Sequence, residues 1–195
     1  MDASFLIRCI NEVHDVIIKN EKEIESLDRA IGDGDHFINL KRGCIAVQSI
    51  NDELLPLNNS QIFQKIGMKI LSTVGGASGP LFATFFLEVA KKIKDTENEL
   101  HNFCEGFNQA VNAIKQRGKS DIGQKTMLDV LVPVAETFTT NIGDNIDKPK
   151  LFDAIDAEAL KGVLATRDLF QQKAARQDLV KERLVILTLE LKAVN

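Results

Sequence analysis

The chain has 195 residues, 44% hydrophobic and 27% charged, which suits a soluble globular protein of one large domain or two small ones. Its net charge of −4 supplies no basic surface for nucleic acid, so nucleic-acid binding ranks low among candidate functions. Apolar runs such as Leu81 to Ala90, broken by Thr84 and Glu88, fall far short of the roughly 20 residues that a membrane span needs.

Met1 to Asn11 carries Asp2 and Arg8 and no signal-peptide core, so the chain reads as cytoplasmic. Phe5, Leu6, Cys9, Ile10, Val13, Val16 and Ile17 recur at three- and four-residue steps and predict a first helix, which Ile24 and Leu27 continue. Leu40, Cys44 and Val47 begin a second after a Gly-rich break. Ile62, Phe63, Ile66, Ile70 and Leu71 predict a third, with Ser60 as N-cap. Pro80 opens a fourth, running through Leu81, Phe85, Phe86, Val89 and Ile93. Phe103, Phe107, Val111 and Ile114 mark a fifth, stopped by Gly118. Met127, Val130, Leu131, Val134 and Phe138 mark a sixth, and Leu160, Val163, Leu164 and Leu169 a seventh. Alternation of apolar and polar residues is nearly absent before a strand-like stretch, Leu184 to Leu189. The expectation is an all-α chain, residues 1–195 as one domain, its amphipathic helices packed antiparallel.

Cys9, Cys44 and Cys104 are an odd count without CxxC spacing and read as reduced core thiols. His14 and His101 fall among polar neighbours on helix patterns and read as solvated. The phenylalanines at 85, 86, 103 and 107 read as core rather than as a base-stacking platform.

Three stretches carry candidate chemistry. In Leu27-Asp-Arg-Ala-Ile-Gly-Asp-Gly-Asp-His-Phe-Ile-Asn39, the carboxylates of Asp28, Asp33 and Asp35 fall within eight residues. Gly32 and Gly34 let the backbone fold tightly enough for them to converge. Crowded like charges repel unless a cation offsets them, and magnesium takes oxygen ligands in an octahedron, often shared with phosphate. An acidic surface loop is the other reading. The spacing D-x4-D-x-D with no closing Glu excludes an EF-hand. The second stretch, Gly75-Gly-Ala-Ser-Gly-Pro80, leads straight into a helix. Backbone N–H groups there favour anions, and Ser78 adds a hydroxyl; a plain helix–helix turn capped by Ser78 is the alternative. The third, Gly118-Lys-Ser-Asp-Ile-Gly-Gln-Lys-Thr-Met127, is one residue too long for a P-loop and follows no strand. His36, next to the acidic trio, is a further candidate.

Taken together these stretches resemble the DhaL family, the nucleotide-binding L domain of dihydroxyacetone kinases. The matching text is Leu27-Asp-Arg-Ala-Ile-Gly-Asp-Gly-Asp-His with Asn39, Gly75-Gly-Ala-Ser-Gly-Pro-Leu-Phe82, and Gly123-Gln-Lys-Thr-Met-Leu-Asp-Val-Leu-Val-Pro133, in the family's order and over roughly residues 1 to 173. The resemblance implies a barrel of eight antiparallel amphipathic helices with ADP or ATP at one rim. It implies that Asp28, Asp33 and Asp35 hold two magnesium ions bridging the phosphates. His36, Phe37, Ile38 and Asn39 would line the nucleotide, Gly76, Ala77 and Ser78 would meet phosphate, and Gly118 and Met127 would border the adenine. Two magnesium ions offset three carboxylates and the roughly three negative charges of ADP.

The implied chemistry is phosphoryl transfer, which needs positioning and neutralised charge, so no general base is assigned. The hydroxyketone would sit on a separate DhaK subunit, for which this chain has no room. The phosphoryl group would come from DhaM, a phosphohistidine protein of the phosphoenolpyruvate phosphotransferase chain. An ATP-exchanging kinase domain, a fatty-acid-kinase domain and a non-catalytic nucleotide-holding partner of a transcription factor are alternatives.

Gln124 stands where many relatives have Asp, and Phe37 where they often have Gly. The end departs more. Relatives close with a segment resembling G-R-A-S-x-L-G-E-R-S-I-G-H-x-D-P-G-A, whereas Lys173 here is followed by Ala-Ala-Arg-Gln-Asp-Leu-Val-Lys-Glu-Arg-Leu-Val-Ile. Joining the third base of each codon to the first two of the next lets Lys173 to Gln177 spell Gly-Arg-Ala-Ser. Leu179 to Glu190 can then spell Gly-Glu-Arg, Ala or Thr, and Ile-Gly-His-Leu-Asp-Pro-Gly. Residues 174–195 are therefore expected to be the family tail in a slipped frame.

Overall fold

A computed structural model of the chain describes residues 3–93, 98–143, 147–166 and 169. Among them are nine helices and no strand: α1 Ala3–Lys19, α2 Glu21–Ile31, α3 His36–Gln48, α4 Asn51–Leu54, α5 Asn59–Thr73, α6 Ser78–Lys92, α7 Glu99–Gly118, α8 Leu128–Asn141 and α9 Lys148–Thr166. The all-α class expected from the periodicity is the class observed. The strand-like Leu184 to Leu189 lies outside the described residues.

Several boundaries differ from the sequence reading, each for a local reason. The first helix is two. The Asn20 side chain donates to the Val16 carbonyl at 2.8 Å, competing with the helical ladder as short polar side chains do, and α2 restarts behind it. The apolar stripe carries through this break as far as Ile24, which is buried, and ends before Leu27, which is 42% exposed. The N-cap of α5 is Asn58, not Ser60. The Asn58 side chain accepts from the Gln61 N–H at 2.9 Å, and Gln61 reaches back to the Asn58 N–H at 3.1 Å, a reciprocal capping box. Ser60 instead donates to the Ala90 carbonyl at 2.7 Å and ties α5 to α6. Gly118 is the last residue of α7 rather than its stop; Lys119 takes the left-handed conformation, at φ 49°.

Neighbouring helices pack in chain order, α5 on α6, α6 on α7, α7 on α8 and α8 on α9, while α3 lies against α1, α2 and α5. Three apolar clusters form the interior. One joins α7, α8 and α9 around Phe107, Leu128, Val134 and Ile155. A second joins α5 and α6 with α1 and α4 around Ile62, Leu54 and Val89. A small third holds Ile17, Ile24, Phe37 and Leu40. Phe82, in the first turns of α6, packs against all three. The phenylalanines expected in the core are there: Phe85 meets Phe107 edge-on at 5.3 Å, and Phe103 meets Phe138 at 6.0 Å. Each such pair adds about 0.5–1.5 kcal/mol beyond its buried area.

Cys104 is buried and Cys9 and Cys44 half-buried, all three as free thiols. Burial pushes Cys44 up to about 12 and Cys9 to about 11, so both stay protonated and inert at neutral pH. His14 is half-buried, not solvated, with Nδ1 3.0 Å from Asp15; His101 is half-buried too. No helix among the described residues is long and apolar enough to cross a membrane.

Candidate functional site

Only four residues separate α2 from α3, and the acidic stretch occupies that turn and its flanks. Asp28 sits on the last turn of α2 with 3% of its surface exposed. Its Oδ2 accepts the His36 backbone N–H at 3.1 Å, which fixes the carboxylate across the mouth of the turn. Gly32 makes room for it. A Cβ on Gly32 would lie 2.0 Å from Asp28 Oδ1, although its φ of −117° suits any residue, so the requirement is for space. Gly34, at φ +81°, reverses the chain and brings Asp33 and Asp35 round. One oxygen from each of Asp28, Asp33 and Asp35 then lies within 4.8 Å of the others.

This convergence has an electrostatic cost. Desolvation, a hydrogen bond shared with the Asp33 carboxylate that favours protonated Asp35, and the charges of Asp33 and Asp28 hold the Asp35 carboxyl above its ordinary range, against a lowering hydrogen bond from Asn39. Three hard oxygen donors, one fixed and buried and two open to solvent, fit magnesium, which keeps several positions for water and phosphate.

The second stretch links α5 to α6. Gly75, Gly76 and Ala77 are exposed, and Gly76 adopts φ +67° with open space where a side chain would be. Gly79 lies against the Val74 carbonyl so closely that a Cβ would be 2.1 Å from its oxygen. Ser78 is buried at the start of α6, its hydroxyl 3.5 Å from the Gly75 carbonyl. Pro80 falls in the first turn, where its missing N–H removes no helical bond. The fifteen-residue α6 thus presents the positive end of its dipole and its first N–H groups behind a bare glycine turn, a setting that favours anions. The two stretches meet at Asn39. This buried residue of α3 holds its Oδ1 3.6 Å from where a Gly75 Cβ would be, and Arg42 donates to the same oxygen at 3.4 Å.

The third stretch is ordered by a residue to which the sequence reading gave no role. Asp129 is 5% exposed, and its carboxylate accepts the N–H groups of Gly123 at 2.5 Å and Thr126 at 2.7 Å. Thr126 Oγ1 in turn accepts from Leu128 N at 3.1 Å. Asp129 thus makes the reach-back half of a capping-box pattern, Thr126-x-x-Asp129, and that pattern before an apolar run was the legible signal. The loop it shapes holds Gly123 at φ +84° and Lys125 at φ 58°. Lys125 Nζ donates to the carbonyls of Thr166 at 2.8 Å and Leu169 at 3.3 Å, binding the loop to the end of α9. Gly118 abuts the first turn of α6, where its Cβ would be 3.9 Å from Leu81.

The structure thus gathers Asp28, Asp33 and Asp35, sets Asn39 beside Gly75, and sets Gly118 beside the first turn of α6. His36 is 4% exposed and touches Asp28 through its N–H; Ile38 is 54% exposed, and Gly76 and Ala77 are open. The Phe37 ring belongs to the apolar cluster with Ile17, Ile24 and Leu40, and Met127 is buried in the cluster of α7, α8 and α9.

Fold and site together define an all-helical domain with a carboxylate trio set next to a glycine-rich helix start. Residues 30–185 match the family model described as the DAK2 domain, and the chain belongs to that family. The match begins two residues after Asp28 and runs past Lys173. Curated relatives agree in extent. The chain is 33% identical over 162 residues to the ADP-binding subunit DhaL of a PEP-dependent dihydroxyacetone kinase from Listeria innocua, covering 83% of this chain and 82% of that one. It is 32% identical over 182 residues to the Escherichia coli subunit of the same description, covering 93% and 84%. It is 34% identical over 161 residues to the PTS-dependent counterpart of Lactococcus lactis, covering 83% and 79%. The crystal structure of the dihydroxyacetone kinase from C. freundii with AMP-PNP and Mg2+ superposes with a TM-score of 0.74 at 23% identity. That likeness covers 97% of this chain but 33% of the kinase chain, and it speaks to the fold.

Proposed function

We propose that this chain is the ADP-binding subunit of a phosphoenolpyruvate-linked dihydroxyacetone kinase and works as a single domain in the cytoplasm. The supporting observation is the convergence of Asp28, Asp33 and Asp35 within 4.8 Å in a member of a family whose named relatives bind ADP. Asp28, Asp33 and Asp35 would hold two magnesium ions. His36, Ile38 and Asn39 would flank the nucleotide, with Phe37 supporting them from the core. Gly76, Ala77 and Ser78 would face the phosphates, and Gly118 and Met127 the adenine.

Magnesium and ADP, when bound, would supply charge neutralisation and the acceptor for a phosphoryl group. The chain's own work is positioning. The His36 N–H and the space over Gly32 fix Asp28. The first turn of α6 offers N–H groups and a positive dipole end to negative charge, and the open Gly76 turn lets that charge come close. No side chain is given a proton-transfer role. The group would arrive from DhaM, a phosphohistidine protein, and leave for dihydroxyacetone held on a DhaK subunit.

Two measurements test this reading. Protein purified with magnesium should retain ADP and lose it to a chelator, and Asp33→Ala should abolish retention with helical content unchanged. Reconstitution with the two partner subunits should then phosphorylate dihydroxyacetone. Retention by Asp33→Ala equal to that of the parent would overturn the metal assignment.

A further inference from the structure

Asn39 is a buried amide beside the acidic trio, 6% exposed, and the direction in which it points matters because its two ends differ. Oδ1 accepts hydrogen bonds, whereas Nδ2 donates them. Arg42 decides which end faces where. Three residues further along α3, its guanidinium lies 3.4 Å from Oδ1. A guanidinium has donors and no acceptor, so the atom in front of it must be the oxygen. The amide nitrogen is thereby left for Asp35, four residues back, to whose carboxylate Asn39 donates. The backbone runs parallel to this contact: the Asn39 N–H donates to the Asp35 carbonyl at 3.0 Å. Asp35, Asn39 and Arg42 stand at i, i+4 and i+7, along one face of the start of α3.

A separation of 3.4 Å is long for a hydrogen bond, so the guanidinium acts on the amide chiefly as a charge on a dipole. Arg42 makes no ion pair among the described residues, and its charge is therefore not already offset by a carboxylate of its own. With that charge removed, the amide would be free to turn and set Oδ1 against Asp35. A fourth acceptor would then face three carboxylates that already converge within 4.8 Å. We propose that Arg42 is a positioning residue for the metal site: it holds the Asn39 amide with its nitrogen toward Asp35, and so keeps the Asp35 carboxylate turned toward the cation shared with Asp28 and Asp33. The inference rests on the magnesium reading above. In this role Arg42 touches neither metal nor nucleotide and acts only through Asn39.

The test is a double-mutant cycle in the full chain. Arg42→Met removes the charge from an exposed side chain, Arg42→Lys keeps the charge, and Asn39→Ala removes the amide. The readout is the magnesium concentration at which half of the protein retains ADP, with circular dichroism and urea unfolding to show that each variant is folded. Arg42→Met should raise that concentration about tenfold, and Arg42→Lys should stay close to the parent. Saturating magnesium should return Arg42→Met to full retention, which a merely structural defect would not allow. In the Asn39→Ala background the same Arg42→Met change should cost less than about twofold, because its route to Asp35 is gone. Binding of manganese alone, read by electron paramagnetic resonance, completes the cycle should Asn39→Ala hold no ADP. An equal loss in both backgrounds would show that Arg42 acts on the ligand directly, and would overturn the proposal. So would an Arg42→Met variant indistinguishable from the parent. Asp33→Ala, run alongside, separates the two readings: if it also retains ADP, the magnesium site falls with the proposal, and if it alone loses ADP, only the role of Arg42 falls.

Discussion

The backbone N–H of His36 donates to Oδ2 of Asp28 at 3.1 Å, closing the turn between α2 and α3 around a buried carboxylate. One bond thus aligns the start of one helix with the end of another and aims the only buried member of the acidic trio. Gly32 is the other half of this arrangement. Its Cβ would fall 2.0 Å from Asp28 Oδ1 although its backbone is unstrained. Gly32→Ala should therefore displace the carboxylate while sparing the helices. The expected outcome is a loss of magnesium-dependent ADP retention of about tenfold or more, equivalent to roughly 1.4 kcal/mol, with circular dichroism unchanged. Retention equal to the parent's would show that Asp28 is not aimed by this contact.

Asp35 gives a pH dependence whose sign can be worked out. Its carboxyl is held above the usual range by desolvation and by Asp33 and Asp28. A group whose pKa is raised on folding favours the folded state while protonated, and that contribution is lost as pH rises through the raised value. In chelator the melting temperature should fall across that interval, on the alkaline side of the ordinary Asp value of about 3.9. Magnesium binds the ionised form and should reverse the trend, raising the melting temperature most at neutral pH. Asp35→Asn should flatten both curves. Scanning calorimetry with and without magnesium checks the prediction, and parallel curves in the two conditions would count against it.

The acidic stretch was legible because its chemistry is local: Leu27 to Asn39 is one uninterrupted run, and spacing alone says that two glycines can fold three carboxylates together. The junction at Asn39 was less so. That Asn39 meets Gly75 depends on how α3 lies against the turn after α5, which no local pattern encodes. Lys125 was not legible at all, because its partners, Thr166 and Leu169, are more than forty residues away. The break at Asn20 was missed because Ile24 keeps the apolar period while a single side-chain bond to Val16 ends the helix. Residue type alone does not separate Ser60 from Asn58 as the cap of α5; the partner Gln61, which completes the box, does. Periodicity reports which face is apolar; it does not report where a polar side chain outcompetes the ladder.

Asp129 organises the third loop from beneath. Removing its carboxylate leaves the N–H groups of Gly123 and Thr126 without their acceptors. An unsatisfied buried donor costs about 1–3 kcal/mol. Asp129→Ala should lower the melting temperature by several degrees, at about 2–4 °C per kcal/mol for a domain of this size, and also weaken ADP binding. Asp129→Asn keeps an acceptor and should lose less of both.

The residues after Lys173 carry a prediction about the gene rather than the fold, and they lie outside the described residues. Genomic DNA read in the frame that starts at the third base of that codon should spell Gly-Arg-Ala-Ser and, further on, Gly-Glu-Arg and Asp-Pro-Gly. Resequencing and the intact mass of the native protein check this directly. A chain expressed in the shifted frame should hold ADP more tightly than the chain ending in Leu-Lys-Ala-Val-Asn, because the shifted text would add an arginine able to pair with phosphate. Codons that do not yield the shifted text would end the idea.

Lys125 separates loop anchoring from charge near the site. Its Nζ caps the end of α9 through Thr166 and Leu169, where the negative end of the helix dipole favours a cation. Its backbone, at φ 58°, is in a region that only glycine adopts freely. Lys125→Met removes the cap and keeps the strain; Lys125→Gly removes both. The methionine variant should therefore be the less stable of the two, despite retaining more side chain. For the methionine variant, the loss relative to the parent should be about 1.5–3 kcal/mol, the range for hydrogen bonds made by a charged group. The loop it anchors carries Met127, assigned to the adenine, so ADP should also leave faster from both variants. Stopped-flow release of a fluorescent ADP analogue, set beside urea unfolding, distinguishes the two effects. Release rates that track stability alone would reduce Lys125 to a structural tie. A faster release in the glycine variant, at a stability above that of the methionine variant, would show that the tie also governs the loop.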